Sequence, residues 1–168
     1  GYDMYSEPVR HAAMEAAWRA AAPRMTGRVQ LMQDLDTGDA GILIYVPVFR
    51  GGAAPPTEPL RHGALTGWVY APVRVARFVE RALQPIKREV KFRLLDVTDR
   101  RAPRVLYEDP AYLMSHDAAF REQRDLVVYG RTWRFEFASP PVATAVPALG
   151  PLQTALVVGL LASLLLFG

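Results

Sequence analysis

The sequence predicts an α+β fold: two small antiparallel-sheet units in succession, followed by a C-terminal transmembrane helix. Three observations carry this reading. Short segments with apolar alternation of period two recur in both halves of the chain, separated by Gly-, Pro- and Asp-rich turns. Every Asp, Glu, Lys and Arg lies at or before Glu136, so Phe137 to Gly168 carries no formal charge. From Ala148 to Gly168 only Gln153, Thr154 and Ser163 are polar, and about 20 apolar residues suffice to cross a bilayer core as a helix. Leu, Val, Ala and Phe there occupy every side of the helix instead of one stripe, which separates it from a surface helix packed on a soluble core. Its place at the C-terminus excludes a signal peptide.

The 168 residues suffice for one domain of ordinary size, or for two small units sharing a core. The apolar tail ends at Gly168 without a Lys/Arg cluster and the chain opens on Gly1, so both ends are expected to be internal to a longer protein.

The first element is a helix in "SEPVRHAAMEAAWRAAAP", with Ser6 as N-cap, Glu7 in the first turn and Pro8 where its missing N–H costs nothing. It runs to about Ala21 and is stopped by Pro23. Arg10, His11, Glu15 and Arg19 are expected on its wet side, and Val9, Ala12, Ala13, Met14, Ala16 and Trp18 against the core. "RVQLMQDLDTGDAGILIYVPVF" then reads as an antiparallel hairpin turning at Asp36, Thr37, Gly38 and Asp39. Its second strand, Gly41–Phe49, is apolar on both faces and belongs in the middle of a sheet, with Pro47 marking a bulge or an interrupted pairing. "RGGAAPPTEPLRHG" reads as a loop, "ALTGWVYAPV" as a third strand, and "RVARFVERALQ" as a helix packing through Val75, Phe78, Val79, Ala82 and Leu83, closed by Pro85.

The second half supplies four more strands: "EVKFRLLDVT", "PRVLYED", "RDLVVYG" and "RTWRFEFAS". Val90, Phe92 and Leu94 alternate with Lys91, Arg93 and Leu95, and Trp133, Phe135 and Phe137 with Arg134, Glu136 and Ala138. The last two strands turn at Gly130.

Chemistry is mostly excluded. With no cysteine, disulfides, thiolate nucleophiles and cysteine-ligated metals are ruled out. The net charge of +3 comes from Lys87, Lys91 and arginines spread along the soluble part without a run, which fits a solvated surface and not a nucleic-acid stripe. "FRGGAAPPT" lacks the Lys-Ser/Thr pair of a phosphate loop. Ser115, His116 and Asp117 are consecutive and so cannot stand in line as a catalytic triad; they read as a cap or turn. His11, His62 and His116 lack metal-ligand spacing. No catalytic residue, metal or cofactor is expected. What remains is a small-molecule site: Tyr45 and Pro47 stand opposite the small Ala71 if the second and third strands pair, which leaves room beside a hydroxyl anchor. Ordinary core packing around Tyr45 is the competing reading.

"GYDMYSEPVRHAAMEAAWRAAAPRMTGRVQL", "GILIYVPVF" and "LTGWVYAPVRVARFV", in that order and ahead of an apolar span, resemble a CHASE domain. The resemblance covers nearly all of the soluble part, and "YDMYSEPVR", "YVPVF" and "GWVYAPV" are its most specific pieces. It implies an extracytoplasmic sensor region of membrane-bound histidine kinases, diguanylate cyclases or phosphodiesterases, and nucleotide cyclases, built from two stacked PAS-like units. By that likeness residues 1–85 form a membrane-distal ligand-binding unit, 86–140 a membrane-proximal unit and 148–168 the transmembrane helix. The implied ligand-binding residues are Met14, Leu31, Met32, Tyr45, Pro47 and Ala71. Plant cytokinin receptors belong to this family; Val9 stands where they hold a carboxylate, Tyr45 where they hold a threonine and Ala71 where they hold a glycine. Adenine recognition is therefore not expected.

The expected protein is a non-enzymatic sensor at the inner (plasma) membrane with its soluble part periplasmic, acting as a homodimer on an unknown small molecule, without nucleic acid. The alternative is a membrane-anchored dimerisation or scaffold module without a ligand.

Overall fold

The structure is a computed structural model and describes residues 3–31, 39–84, 90–110, 112 and 120–139. The element order is α1 (Pro8–Ala20), β1 (Arg24–Met25), β2 (Gly41–Phe49), α2 (Glu58–Ala64), β3 (Leu65–Arg74), α3 (Val75–Leu83), β4 (Lys91–Asp96), β5 (Arg104–Glu108), β6 (Phe120–Val128) and β7 (Arg131–Ser139). The strands form a three-stranded sheet, β1-β2-β3, and a four-stranded sheet, β5-β4-β7-β6, with every pairing antiparallel. The α+β class with two antiparallel sheets is as the alternation predicts. Among the described residues no helix is long and apolar enough to cross a membrane. The expected span at Ala148–Gly168 lies outside the described residues.

Helix α1 starts one residue later than expected. The Ser6 hydroxyl is engaged with the Asp3 carbonyl at 2.9 Å, and the Glu7 carboxylate caps instead, accepting from the Val9 and Arg10 amides at 3.2 and 2.9 Å. At the other end Ala21 turns left-handed (φ 49°). The Ala21 and Ala22 amides bond back to the Trp18 and Ala17 carbonyls, each at 3.1 Å, and together they close the helix before Pro23.

The buried stripe of α1 is Arg10, Ala13, Met14, Ala17 and Trp18, at spacings of three and four. Val9, Ala12 and Ala16, expected inside, are exposed, and Arg10, expected outside, is 5% exposed. Alanines on both sides of a helix give the pattern little power to choose between faces. Arg10 is accommodated because its guanidinium donates to the Gln30 carbonyl at 3.3 Å.

Strand β2 is the centre of the first sheet, as its two apolar faces require. The hairpin partner is shorter than expected and lies upstream: β1 pairs Arg24 with Tyr45 and Met25 with Ile44. Thr26 then breaks the ladder. Its hydroxyl, and not its carbonyl, accepts the Leu43 amide at 2.9 Å, so contact resumes only at an isolated bridge, where Val29 and Gly41 exchange two 2.9 Å bonds. The turn at Asp36, Thr37 and Gly38 lies outside the described residues. Gly41 is required sterically: a side chain there would place its Cβ 2.5 Å from the Leu31 Cγ.

Pro47 does not interrupt the sheet. It pairs in register with Trp68, and the irregularity comes one step later, between Val48 and Phe49. The backbone groups of Gly41 and Leu43 face the β1 side, so by the two-residue period those of Pro47 do too, beyond the end of β1, where its missing N–H costs no ladder bond.

The segment expected to be a loop contains α2. Thr57, Glu58 and Pro59 form a helix start that the surrounding glycines and prolines mask. Arg61 fixes it, donating to the carbonyls of Pro55 (2.8 Å), Pro56 (3.1 Å) and Arg19, while His62 sits edge-on to Trp18 at 5.2 Å. Helix α3 packs through Val75 and Val79, but Phe78 is 61% exposed, since it falls off that stripe.

The second sheet carries a tight turn. Tyr129 and Gly130 both have positive φ (46° and 82°) and join β6 to β7 as a two-residue hairpin. Strand β6 begins at Phe120, earlier than expected, and pairs with β7 along its whole length. One apolar core serves both sheets: Ile42 and Met25 from the first, Phe92, Leu94, Leu106 and Tyr107 from the second, and Val75 and Val79 from α3. A second core lies between α1 and the other face of the first sheet.

Candidate functional site

The register of β2 with β3 decides which residues share a face. Tyr45 pairs with Tyr70, Pro47 with Trp68, and Ala71 with Ile44. Ala71 is therefore one residue out of step with Tyr45 and points to the opposite side of the sheet, where it is exposed. The expected pairing of Tyr45 and Pro47 with Ala71 is corrected accordingly: small Ala71 makes no room beside the Tyr45 hydroxyl.

Of the expected site residues, the fold brings Met14, Leu31 and Tyr45 together, in the core between α1 and the first sheet, with Ala13, Ala17, Val29 and Leu43. Tyr45 is 0% exposed. Its ring lies 6.0 Å from that of Tyr70, and its hydroxyl points to the Met4 sulfur at 3.9 Å. Pro47 lies on the same face beside Trp68 and is half-buried. Met32 lies outside the described residues, as do Ser115, His116 and Asp117.

The N-terminal segment covers this core. The Tyr5 ring packs on His11 with centroids 4.1 Å apart and reaches Trp68 at 5.7 Å. The Trp68 indole N–H donates to the Met14 carbonyl at 3.0 Å, joining β3 to α1. Glu15 anchors the cover, accepting from the Tyr5 hydroxyl at 2.6 Å, the Trp18 indole at 3.0 Å and Arg19 at 2.8 Å. The Tyr5 hydrogen bond is the main reason the Glu15 carboxyl is held below the usual carboxylate range, and the same bond holds the Tyr5 phenol above its ordinary value. The sequence places Glu15 only on the wet side of α1 and assigns no role to Tyr5 or Trp68, although "YDMYSEPVR" and "GWVYAPV" are its most specific pieces; aromatic contacts between segments this far apart leave no periodic trace.

On the other side of α1 an open cleft of about 660 Å³ separates the helix from the second sheet. Val9, Ala12 and Ala16 form its apolar wall, and Arg24, Arg28, Arg104 and Arg131 reach it from β1, the segment after it, β5 and β7. Val9 faces this cleft and not the Tyr45 core. Among the described residues no group of three or more His, Cys, Asp and Glu is placed to hold a metal ion. Asp109 is buried and accepts from the Phe92 amide and the Tyr107 hydroxyl, each at 2.9 Å; the first bond ties β4 to the end of β5 and the second orients the carboxylate, which fits a structural role.

A family model described as CHASE domain matches residues 1–107, which span α1, the first sheet, α3, β4 and most of β5. No curated protein matches the chain. The matched span holds the buried Tyr45 core and its aromatic cover, and on this match the chain belongs to the CHASE domain family, an extracytoplasmic sensor domain of membrane signalling receptors.

Proposed function

We propose that this chain binds a small molecule in the unit formed by residues 1–85 and passes a change of shape through the unit formed by residues 86–140 to a transmembrane helix at 148–168. The binding site is the α1–β2 core, with Met14, Leu31 and Tyr45 as its lining and Pro47 at its margin; Met32, outside the described residues, is kept as a ligand contact on the family resemblance alone. The observation that carries this reading is the arrangement of that core: residues from α1, β2 and the segment ahead of β2 converge under a cover held by a few polar contacts from residues 3–7. Such a cover lifts at smaller cost than a continuous apolar core opens. The ligand enters as Tyr5 leaves Trp68, and its body takes the place of part of the Met4 and Tyr5 contacts.

The route outward is the shared core. Ile42 and Ile44 sit on the reverse side of the same β2 and pack with Phe92, Leu94, Phe135 and Phe137 of the second sheet. A shift of β2 is thereby felt by β7, whose last residue is Ser139. In a homodimer, displacement of β7 moves the helix that follows it relative to its mate, and an attached kinase or cyclic-dinucleotide enzyme reads the motion.

A thermal-shift screen of small metabolites on the chain tests the reading. A ligand that binds only the folded state adds about 2.7 kcal/mol of stability at a hundredfold excess over Kd, which reads as a higher Tm. A screen in which no compound raises Tm at saturating concentration would favour the scaffold module without a ligand.

A further inference from the structure

The cleft between α1 and the second sheet is a charged site as well as an open one. Four arginines line it against two aspartates. Both aspartates are already engaged. Asp96, 3% exposed, accepts from Arg131 at 2.5 Å and from the Thr98 hydroxyl at 2.6 Å; Asp99 accepts the Arg101 amide at 2.9 Å. Among the described residues Arg24 has a hydrogen bond only to its neighbour, the Pro23 carbonyl, at 3.0 Å, and Arg104 is exposed with no acid within ion-pair reach. The charge that remains in the cleft is positive.

The opposite wall is apolar and wet. Val9 is 39% exposed, and Ala12 and Ala16 are exposed beside it. This row is the one the helix pattern places in a core, and it faces the cleft instead. Glycine shapes the charged side: a Cβ on Gly130, where φ is +82°, would stand 2.7 Å from the Arg24 Cδ, so the Arg24 stem crosses the β6–β7 turn only because that residue has no side chain.

We infer that this cleft binds a small organic anion, a carboxylate or phosphate carried on a compact apolar body. Its charged end lies between Arg24 and Arg104, and its body lies on Val9, Ala12 and Ala16. Guanidinium groups suit both anions, since each presents paired oxygens to a planar fork. The occupant bridges the two sheets, Arg24 being on β1 and Arg104 on β5. Where those sheets meet, the Met25 amide already donates to the Tyr129 carbonyl at 3.0 Å. A bound anion tightens that junction and so modulates how a movement of the first sheet reaches β7. The inference goes beyond the proposed sensing at Tyr45 and does not depend on it. The cleft sits at the Arg131 end of β7, about 27 Å along the strand from Ser139, which favours a soluble anion over a lipid headgroup.

The test uses the full chain, with phenyl phosphate and benzoate as probes and inorganic phosphate as the comparison without an apolar body, all at constant ionic strength. Saturable binding by calorimetry is expected, tighter for phenyl phosphate than for inorganic phosphate. Arg24→Gln combined with Arg104→Gln weakens it by about tenfold or more, and Ala12→Asp weakens it without touching either arginine. Equal affinity in the arginine double variant, or equal affinity for inorganic phosphate and phenyl phosphate, overturns the site. An effect seen with phosphatidylglycerol vesicles and not with phenyl phosphate overturns the soluble ligand. Failure here leaves the thermal screen for the Tyr45 site unaffected, because neither Arg24 nor Arg104 belongs to that core.

Discussion

Tyr5 and Glu15 form the polar contact most directly tied to the cover over the Tyr45 core, and their titration predicts its behaviour with pH. Glu15 is depressed in the fold, so its contribution to stability is complete above the ordinary carboxylate value of 4.5 and is lost as pH falls through the lower folded value. Tyr5 is raised, so its contribution is complete below its ordinary 10.0 and is lost as pH climbs through the folded value. Tyr5→Phe is therefore expected to lower Tm most near neutral pH, with the gap to the parent chain closing towards acid; a gap that does not change between pH 3 and 7, by about that range of carboxylate titration, would contradict the pairing. Gly41 is the sharpest steric constraint. Gly41→Ala drives a Cβ into the Leu31 Cγ, 2.5 Å away, at a cost of about 1–3 kcal/mol in urea unfolding, part of which Leu31→Ala recovers in the double variant. Neither contact is legible in the sequence, which marks out Tyr45 on its strand and, by resemblance, Leu31, but not their neighbours. The Leu31–Gly41 contact crosses a segment whose length the pattern reveals but whose packing it does not, and the Tyr5–Glu15 bond depends on where a non-helical segment folds back.

Among the elements, the central strand and the two longer helices were legible because period and punctuation agree in them: β2 is apolar on both faces, Pro23 follows α1, and β3 runs into α3 without a breaker. The failures have local causes. Helix α2 hides behind "GGAAPP", where turn residues outweigh the Thr-Glu-Pro start that follows them. The alternation of Val29 and Leu31 points to a first strand further along the chain, whereas the paired residues are Arg24 and Met25. Thr26 is the reason, since its hydroxyl takes the Leu43 amide that a continuing strand would have taken. Thr26 is 1% exposed, so Thr26→Val keeps the shape and leaves that amide without its acceptor, at about 1–3 kcal/mol. A urea midpoint unchanged in this variant would show that the ladder reforms through the backbone. The same one-residue sensitivity governs the site: Ala71 misses Tyr45 because register is set by the β2–β3 ladder as a whole, and a slip of one position exchanges faces.

For the whole molecule, the sequence contains the two sheets in order but not the fact that they share a core. β4 pairs with β7 far along the chain (Lys91 with Ala138), and long-range pairing of that kind has no signature in a local window. The convergence of Arg24, Arg28, Arg104 and Arg131 is hidden for the same reason: in the sequence they look like scattered surface charge, and only the approach of the β6–β7 turn to β1 gathers them. In the proposed function the shared core carries the signal, because an apolar core packed to native density passes a displacement on instead of absorbing it. On that proposal the displacement leaves the domain through the chain that follows Ser139. Inserting a flexible Gly/Ser segment of about ten residues between Ser139 and Leu149 of the intact receptor, and then measuring effector output against ligand-induced Tm of the same protein, tests this most directly. The account predicts that the ligand still raises Tm while output no longer responds to it; output that follows the ligand as in the parent receptor would contradict it.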